Sequence, residues 1–348
     1  MAVTIKDVAK MANVAPSTVS RVIANNPRIS EKTKQKVKEA MEKLGYHPNF
    51  IARSLASQST QAIGVIMPSA DVGFQNPFFP VVLQGISEGA RAKNYALQMT
   101  TGGTDEEILD AVIHMVQGKR VDGVVLLYSK VKDKVINYLR ERDFPFVVVG
   151  KPYKDVGQIT HVDNDNVQAA KQATEFLIEL GHQKIAFIGG SQDLVVTIDR
   201  LNGYKLALEE FGIKLRKEFV THEEFLREGG MEAVRELMEH TDQPTAMLVA
   251  DDFMALGVLN MLDELGVRVP EDISVVSFNN VLLAEMARPP LTSVDINIFE
   301  LGFQASRSLI QMIKKPEEPT KRIIIKHHLV ERSSSAGPSG ERIILSKI

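Results

Sequence analysis

The sequence predicts two unlike parts: an N-terminal all-α helix-turn-helix headpiece, and an α/β core of two doubly wound parallel-sheet subdomains. Three observations carry that expectation. The first sixty residues read as short amphipathic helices with an excess of positive charge. From about Ala62, apolar strand-like runs alternate with helical spacing through two full rounds. The chain, at 348 residues, is long enough for two or three domains.

Composition fixes the class. With 44% hydrophobic and 24% charged residues, the chain reads as a soluble globular protein. It has no cysteine, which excludes disulfides and thiolate metal sites and suits a reducing compartment. The opening MAVTIKDVAK has no charged leader followed by an apolar run, and no stretch approaches the length that spans a bilayer. A cytoplasmic location is expected. The net charge of −3 hides an asymmetry. Residues 1–60 carry ten Lys/Arg and four Asp/Glu, a balance of +6, whereas the remainder carries 31 and 40, a balance of −9. A basic head on an acidic body suits a partner that is a polyanion.

The headpiece elements follow in order. Thr4 and Asp7 suit a capping box, and Ile5, Val8, Ala9 and Ala12 form one apolar stripe. A break at Asn13-Val14-Ala15 precedes Pro16, which fits the first turn of a second helix. Val19, Val22 and Ile23 would face inward, leaving Ser17, Ser20 and Arg21 pointing out. Ser30 caps a third helix with the stripe Val37, Ala40, Met41 and Leu44, and Gly45 ends it. Lys32, Lys34, Lys36 and Lys38 read as one solvated helix face. Two helices joined by a tight turn, closed by a third, are a helix-turn-helix, which could offer hydroxyls and a guanidinium to a major groove. A plain three-helix bundle is the competing reading.

In the core, strands are expected at Ala62–Met67, Tyr95–Thr100, Gly123–Tyr128 and Phe146–Gly150, with helices between them at Phe78–Lys93, Glu106–Gln117 and Lys134–Arg142. A second round places strands at Ile185–Gly189, Phe219–Thr221, Met247–Ala250 and Ile273–Phe278. Its helices fall at Val167–Leu180, Leu201–Phe211, Gly230–Glu239 and Phe253–Leu265. Ligands of such sheets bind beyond the carboxyl ends of the strands, so a cleft between the two subdomains is the expected site. The strand ends carry suitable chemistry. NPFF supplies Phe78 and Phe79, VADD supplies Asp251 with Asp252 capping the next helix, SFNN supplies Asn279, and DRLNGY places Arg200 at a helix start. Aromatic faces with carboxylate, amide and guanidinium groups suit a polyhydroxylated ligand. The competing readings are structural: Phe79 in the core, Arg200 in an ion pair.

No enzyme signature stands out: the Gly-x-Ser-x-Gly elbow, the P-loop, the dinucleotide fingerprint and His-Glu-x-x-His are all missing. VDNDN at Val162–Asn166 lacks the glycine and final glutamate of a calcium loop, and reads as a strand end and helix cap with Asp163 toward ligand. His327-His328 reads as structural. Neither a cofactor nor a metal is expected.

TIKDVAKMANVAPSTVSRVI, followed by ISEKTKQKVKEAMEKLGYHPNFIARSLAS, closely resembles the headpiece of the LacI/GalR family of bacterial transcriptional repressors, and the likeness runs to about Glu331-Arg332. The resemblance implies a homodimer on double-stranded operator DNA, with Pro16, Ser17 and Arg21 facing base edges and Thr18 and Ser20 toward phosphates. Thr4 joins the DNA-binding positions. Residues Asn49 to Ser57 correspond to a hinge helix that orders on operator, with Leu55 as a minor-groove wedge beside Asn49, Ala52 and Arg53. Ala15 departs from the family, where serine is common, at a cost of about 1 kcal/mol in capping.

By the same resemblance the core is periplasmic-binding-protein-like with three crossovers, near His161–Val162, Leu291–Ser293 and Thr320–Arg322. That divides the chain into a headpiece (1–47), a hinge and linker (48–60), an N-terminal subdomain (61–161 and 292–321), a C-terminal subdomain (162–291 and 322–332) and a mobile tail (333–348). A helix at Phe299–Ile313 returns to the N-terminal subdomain. Arg200, Asp251 and Asn279 match positions that line the family's effector pocket, with Phe225, Lys151, Asp163, Phe78 and Phe79 beside them. Asn279 stands where aspartate is common, so effector identity does not carry over from Asp-bearing relatives. NPFFPVVLQGIS, GKRVDGVVLLY, FPFVVVGK, VTIDRLNGY and VDINIFELG resemble the maltose-operon repressors of Gram-positive bacteria, which implies a sugar effector, maltose or a related α-glucoside. Three alternatives stay open: a catabolite-control regulator whose corepressor is a phosphorylated carrier protein, a sugar-binding protein with no DNA role, and an enzyme using the cleft.

Overall fold

The computed structural model describes residues 3–23, 26–46 and 59–338. Two compact units emerge: Met1–Ala62 with Met115–Asp122, and Ile63–His114 with Gly123–Ile348.

In the first unit, α1 (Ile5–Ala12), α2 (Pro16–Ile23) and α3 (Glu31–Leu44) enclose Val8, Ala9, Ala12, Val19, Val22, Val37 and Ala40. The Asp7 carboxylate accepts the Thr4 N–H at 2.8 Å and the Thr4 hydroxyl at 2.7 Å, the expected box at the start of α1. Asn13 turns the chain in the left-handed region at φ 49°, a conformation asparagine tolerates better than most residues. Ala15 has no side chain with which to cap α2. Its carbonyl nonetheless accepts the N–H groups of Thr18 (2.9 Å) and Val19 (3.2 Å), and Pro16 opens the helix. Ser30 caps α3 through the Thr33 N–H, and Gly45 at φ 60° stops it.

The second unit holds two six-stranded sheets. One contains β1 (Ala62–Ile66), β2 (Ala96–Thr100), β3 (Gly123–Leu126), β4 (Phe146–Val149), β5 (His161–Asn164) and β11 (Arg322–Ile325), in the order β11-β5-β4-β3-β1-β2. The other contains β6 (Ile185–Gly189), β7 (Val220–His222), β8 (Ala246–Val249), β9 (Ser274–Phe278), β10 (Thr292–Asp295) and β12 (His328–Val330), in the order β12-β10-β9-β8-β6-β7. Pairing is parallel from β11 through to β1 in the one sheet and from β10 through to β7 in the other, as in Ile63↔Gly123 and Thr292↔Val276, and β12 lies antiparallel to β10. Central strands such as AIGVI and AMLV are buried along their whole length, because helices cover both faces of a parallel sheet.

The helices of this unit are α4 (Ala70–Gln75), α5 (Phe78–Arg91), α6 (Asp105–Gln117), α7 (Lys134–Glu141), α8 (Asn166–Glu179), α9 (Val195–Glu210), α10 (Arg227–Met238), α11 (Asp252–Glu264), α12 (Leu282–Met286) and α13 (Ile298–Lys314). As expected, α13 returns to the N-terminal lobe, where it packs along α5. Glycines allow that approach: a Cβ on Gly85 would lie 2.0 Å from the Phe299 carbonyl oxygen, and one on Gly302 would lie 2.1 Å from that of Val82.

Three differences from the sequence reading concern the crossovers. Strand β5 stays in the N-terminal sheet, β10 lies in the C-terminal sheet, and β11 is in the N-terminal sheet again. Each crossover therefore comes one strand later than expected, after Asn164, Asp295 and Ile325. A single side chain ties these exits together: the Asn164 amide donates to the carbonyl oxygens of Ile296 (2.9 Å) and Ile325 (3.0 Å). A fourth difference lies in the tail. Ser334 is fully buried, accepting the Thr292 N–H at 2.8 Å and donating to the Val275 carbonyl at 2.6 Å. Ala336 bonds Ser274 in both directions, at 2.8 and 2.9 Å. Residues 333–338 thus belong to the C-terminal lobe. Among the described residues no helix is long and apolar enough to cross a membrane.

Candidate functional site

Two places gather the residues singled out in the sequence. The first is the outer face of α2, where Pro16, Ser17, Ser20 and Arg21 are exposed and Thr18 is half-buried. Val19 and Val22 point the other way, into the three-helix core. The helix therefore presents small polar groups and one cation on a surface it does not need for its own packing. Thr4 is exposed at the start of α1 with its hydroxyl committed to Asp7. Asn49, Ala52, Arg53 and Leu55 lie outside the described residues.

The second place is a cavity of about 140 Å³ between the carboxyl ends of the two sheets. Phe78, Phe79, Lys151, Asp163, Arg200, Phe225, Asp251 and Asn279 all line it. The N-terminal lobe brings Phe78 and Phe79 from the start of α5, set edge to face at 5.2 Å, and Lys151 from beyond β4. The C-terminal lobe brings Arg200 on α9, Phe225 ahead of α10, Asp251 after β8 and Asn279 after β9.

Arg200 is the hub. Its Nε donates to the Asn166 amide oxygen at 3.0 Å, an Nη group donates to the Ala250 carbonyl, and the guanidinium sits 4.2 Å from the centre of the Phe278 ring. Burial lowers its pKa to about 10 against the pull of Asp251, Asp163, Asp252 and Asp199, so it stays charged at neutral pH. Arg200 lies in the second turn of α9 rather than at a helix start, because the helix begins at Val195.

Asp251 accepts four hydrogen bonds. The N–H groups of Phe253 (2.7 Å) and Met254 (3.2 Å) share Oδ1, while the amides of Asn76 (3.1 Å) and Asn279 (2.6 Å) share Oδ2. It is Asp251, not Asp252, that caps α11. Asp252 is enclosed, accepting the hydroxyls of Ser277 (2.5 Å) and Ser293 (2.7 Å) and the Val281 N–H (2.9 Å). Burial raises Asp251 to about 6, and Asp163 and Asp252 to about 7. Asn279 holds its position in a left-handed conformation at φ 106°, which costs a residue with a Cβ. Lys151 pairs with Asp199 at 2.6 Å.

Several wall residues escaped sequence reasoning. Asn76 sits in the same NPFF run as Phe78, and its amide crosses to the other lobe to reach Asp251 and, at 3.1 Å, the Phe225 carbonyl. Asp199 and Asn166 hold Lys151 and Arg200. Ser129 lines the cavity with a buried hydroxyl that has no hydrogen-bond partner among the described residues. Beside it the lobes meet through main-chain bonds, Val195 N–H to Ser129 O (3.0 Å) and Val131 N–H to Asp193 O (2.9 Å). The His327 Nε2 N–H donates to the Gln172 amide oxygen at 2.9 Å. Among the described residues no three His, Asp or Glu side chains gather as metal ligands.

Comparison with known proteins matches residues 4–49 to the bacterial regulatory proteins of the lacI family, and residues 174–335 to a periplasmic binding protein-like domain. The HTH-type transcriptional regulator MalR of Streptococcus pneumoniae serotype 4 is 43% identical over 340 residues, 95% of this chain and 100% of the relative. Among solved structures, a complex of the transcriptional regulator CelR with cellobiose is 32% identical with a TM-score of 0.76, covering 96% of this chain and 100% of that one. The lac repressor dimer bound to operator and the anti-inducer ONPF is 26% identical with a TM-score of 0.82, covering 97% and 100%.

Proposed function

Because this chain belongs to the LacI family of bacterial regulatory proteins, we propose that it is a cytoplasmic repressor whose hold on operator DNA is loosened by maltose or a related α-glucoside lodged in the cavity. The observation that carries the sugar reading is a cavity walled by an edge-to-face pair of aromatic rings, Phe78 and Phe79, together with carboxylate, amide and guanidinium groups. Rings pack on pyranose faces, and carboxylates, amides and the unpaired Ser129 hydroxyl meet groups that both donate and accept.

A homodimer sets two α2 faces into successive major grooves. The surface for a second copy is suggested by large apolar side chains left exposed on α4 and α12: Phe74 (62%), Leu282 (70%) and Met286 (61%). The segment with Leu55 then opens the minor groove between them. Sugar favours a different angle between the lobes, in which that segment no longer pairs. A preference of about 1–3 kcal/mol for that angle is enough for a useful response.

The charge of the walls narrows the ligand. Asp163, Asp199 and Asp251 line the cavity, and the two cations that face them, Arg200 and Lys151, already bond protein partners and leave no free cation among the described residues for a phosphate. A neutral sugar fits this balance better than a sugar phosphate does. An electrophoretic shift assay on operator selected by the protein itself should therefore show release by maltose or a close α-glucoside, and no release by their phosphates. Absence of release by every neutral α-glucoside would remove the assignment. Release only by a phosphorylated sugar, or tightening by a phosphorylated carrier protein, would favour the catabolite-control reading.

Arg21→Ala tests the reading face. It should cut operator affinity by about tenfold while binding to random duplex at the same salt falls far less. A uniform fall would make Arg21 a phosphate contact.

A further inference from the structure

The residues that lead from the linker into the core converge on one acceptor. Asp122, directly ahead of β3, takes the Ser59 hydroxyl (2.6 Å) and the Gln61 N–H (2.9 Å) on Oδ2. On Oδ1 it takes the Thr60 N–H (2.7 Å) and the Thr60 hydroxyl (2.9 Å). Four donors from three consecutive residues thus meet a single half-buried carboxylate. Such charge-assisted bonds are stronger than neutral ones. Between them Gln61 is left-handed at φ 46°, a conformation that a residue with a Cβ holds only when its surroundings require it.

The sheet itself has no need of this clamp. The Asp122 main-chain N–H already donates to Ala62 O at 2.8 Å, and the register of β1 on β3 is set by main-chain pairing from Ile63↔Gly123 onward. The carboxylate bonds go instead to residues lying before the strand, where the chain arrives from segment 47–58. A flexible joint at 59–61 would let a moving lobe turn without moving that segment. A clamped joint transmits the turn.

We propose that Asp122 is the positioning residue of the switch: by gripping residues 59–61 it fixes the direction in which the linker leaves the core, so that DNA-contacting residues follow the lobe. The proposal rests on DNA binding and is independent of which sugar fills the cavity.

The test uses the full chain and duplexes read by fluorescence anisotropy at one salt concentration. Asp122→Ala removes all four acceptor contacts. Asp122→Asn keeps the Oδ1 pair to Thr60 and puts an amide where Ser59 and Gln61 donate. A Ser59→Ala/Thr60→Val double variant keeps only the two main-chain bonds. Without sugar, Asp122→Ala should bind operator about tenfold more weakly or worse, with Asp122→Asn and the double variant in between. Affinity for random duplex, and for whichever sugar releases the wild type, should stay within about twofold, since neither depends on the linker direction. Operator binding at wild-type strength in all three variants overturns the proposal. So does a parallel fall for operator and random duplex, which would mark a folding defect. If Asp122→Ala does not fold, the other two variants carry the same expectation. A wild type that no sugar releases counts against the sugar assignment alone, because the ratio of operator to random affinity is measured without sugar.

Discussion

Gly85→Ala should weaken the core by about 3 kcal/mol, although alanine is the better helix former by about 1 kcal/mol. The new methyl would sit 2.0 Å from the Phe299 carbonyl oxygen and 2.9 Å from the Phe303 N. These are main-chain atoms in the first two turns of α13, so no rotamer change relieves the overlap and the two helices must part. Parting them opens the layer between α5 and the sheet, where Val82 and Ile86 are fully buried. Calorimetry should show the transition about 6–12 °C lower, on the scale usual for domains of this size. Gly157→Ala is the control, since nothing lies within 4 Å of a Cβ there, and it should shift stability by less than about 0.5 kcal/mol. An unshifted Gly85→Ala transition would mean that the helices are not in backbone contact.

Arg200→Ala should give a repressor that sugar cannot release. The guanidinium links Asn166, Ala250 and the Phe278 ring, and it is the charge that offsets Asp163, Asp251 and Asp252. Its removal leaves buried carboxylates opposed only by Lys151, a loss of about 3 kcal/mol when one side of a buried charge set goes. Sugar affinity should fall at least about a hundredfold, while the α2 face is untouched and operator binding without sugar persists. Arg200→Lys keeps a charge but not the planar fork, and should recover part of the stability and little of the sugar response. Calorimetric titration with maltose, read beside operator release, checks both. A variant released at the wild-type sugar concentration would show that Arg200 acts as scaffold only.

The alternation of strands and helices was legible because strands covered on both faces read as unbroken apolar runs, as AIGVI, FVVV and AMLV do. Two of the three crossovers move because β5 and β10 carry buried polar residues: His161, Asp163 and Asn164 in the one, and Thr292 and Ser293 in the other, give no apolar run that assigns them to either sheet until their partners are known. Those partners are distant in sequence: Ser293 bonds Asp252, and Thr292 bonds Ser334. The start of α9 was hidden in the same way, because Val195-Val196-Thr197 is β-branched and favours a strand locally. Eight wall residues could be named because they stand at strand ends or helix starts, or match family positions. Asn76 could not, since its role exists only across the lobes, 149 residues from Phe225 and 175 from Asp251. The Ser/Gly composition of the tail says nothing of the slot that encloses Ser334.

The threading of the chain between its two sheets bears on how the protein is made. The N-terminal sheet lacks its outer strand until Arg322–Ile325 emerges from the ribosome, and the C-terminal one lacks its own until His328–Val330 does. The headpiece, closed within its first 46 residues, can fold long before either. During translation, then, a finished reader hangs from an unfinished regulator. A transcript cut short after the head would leave a fragment with an intact grip surface and no means of being told to let go.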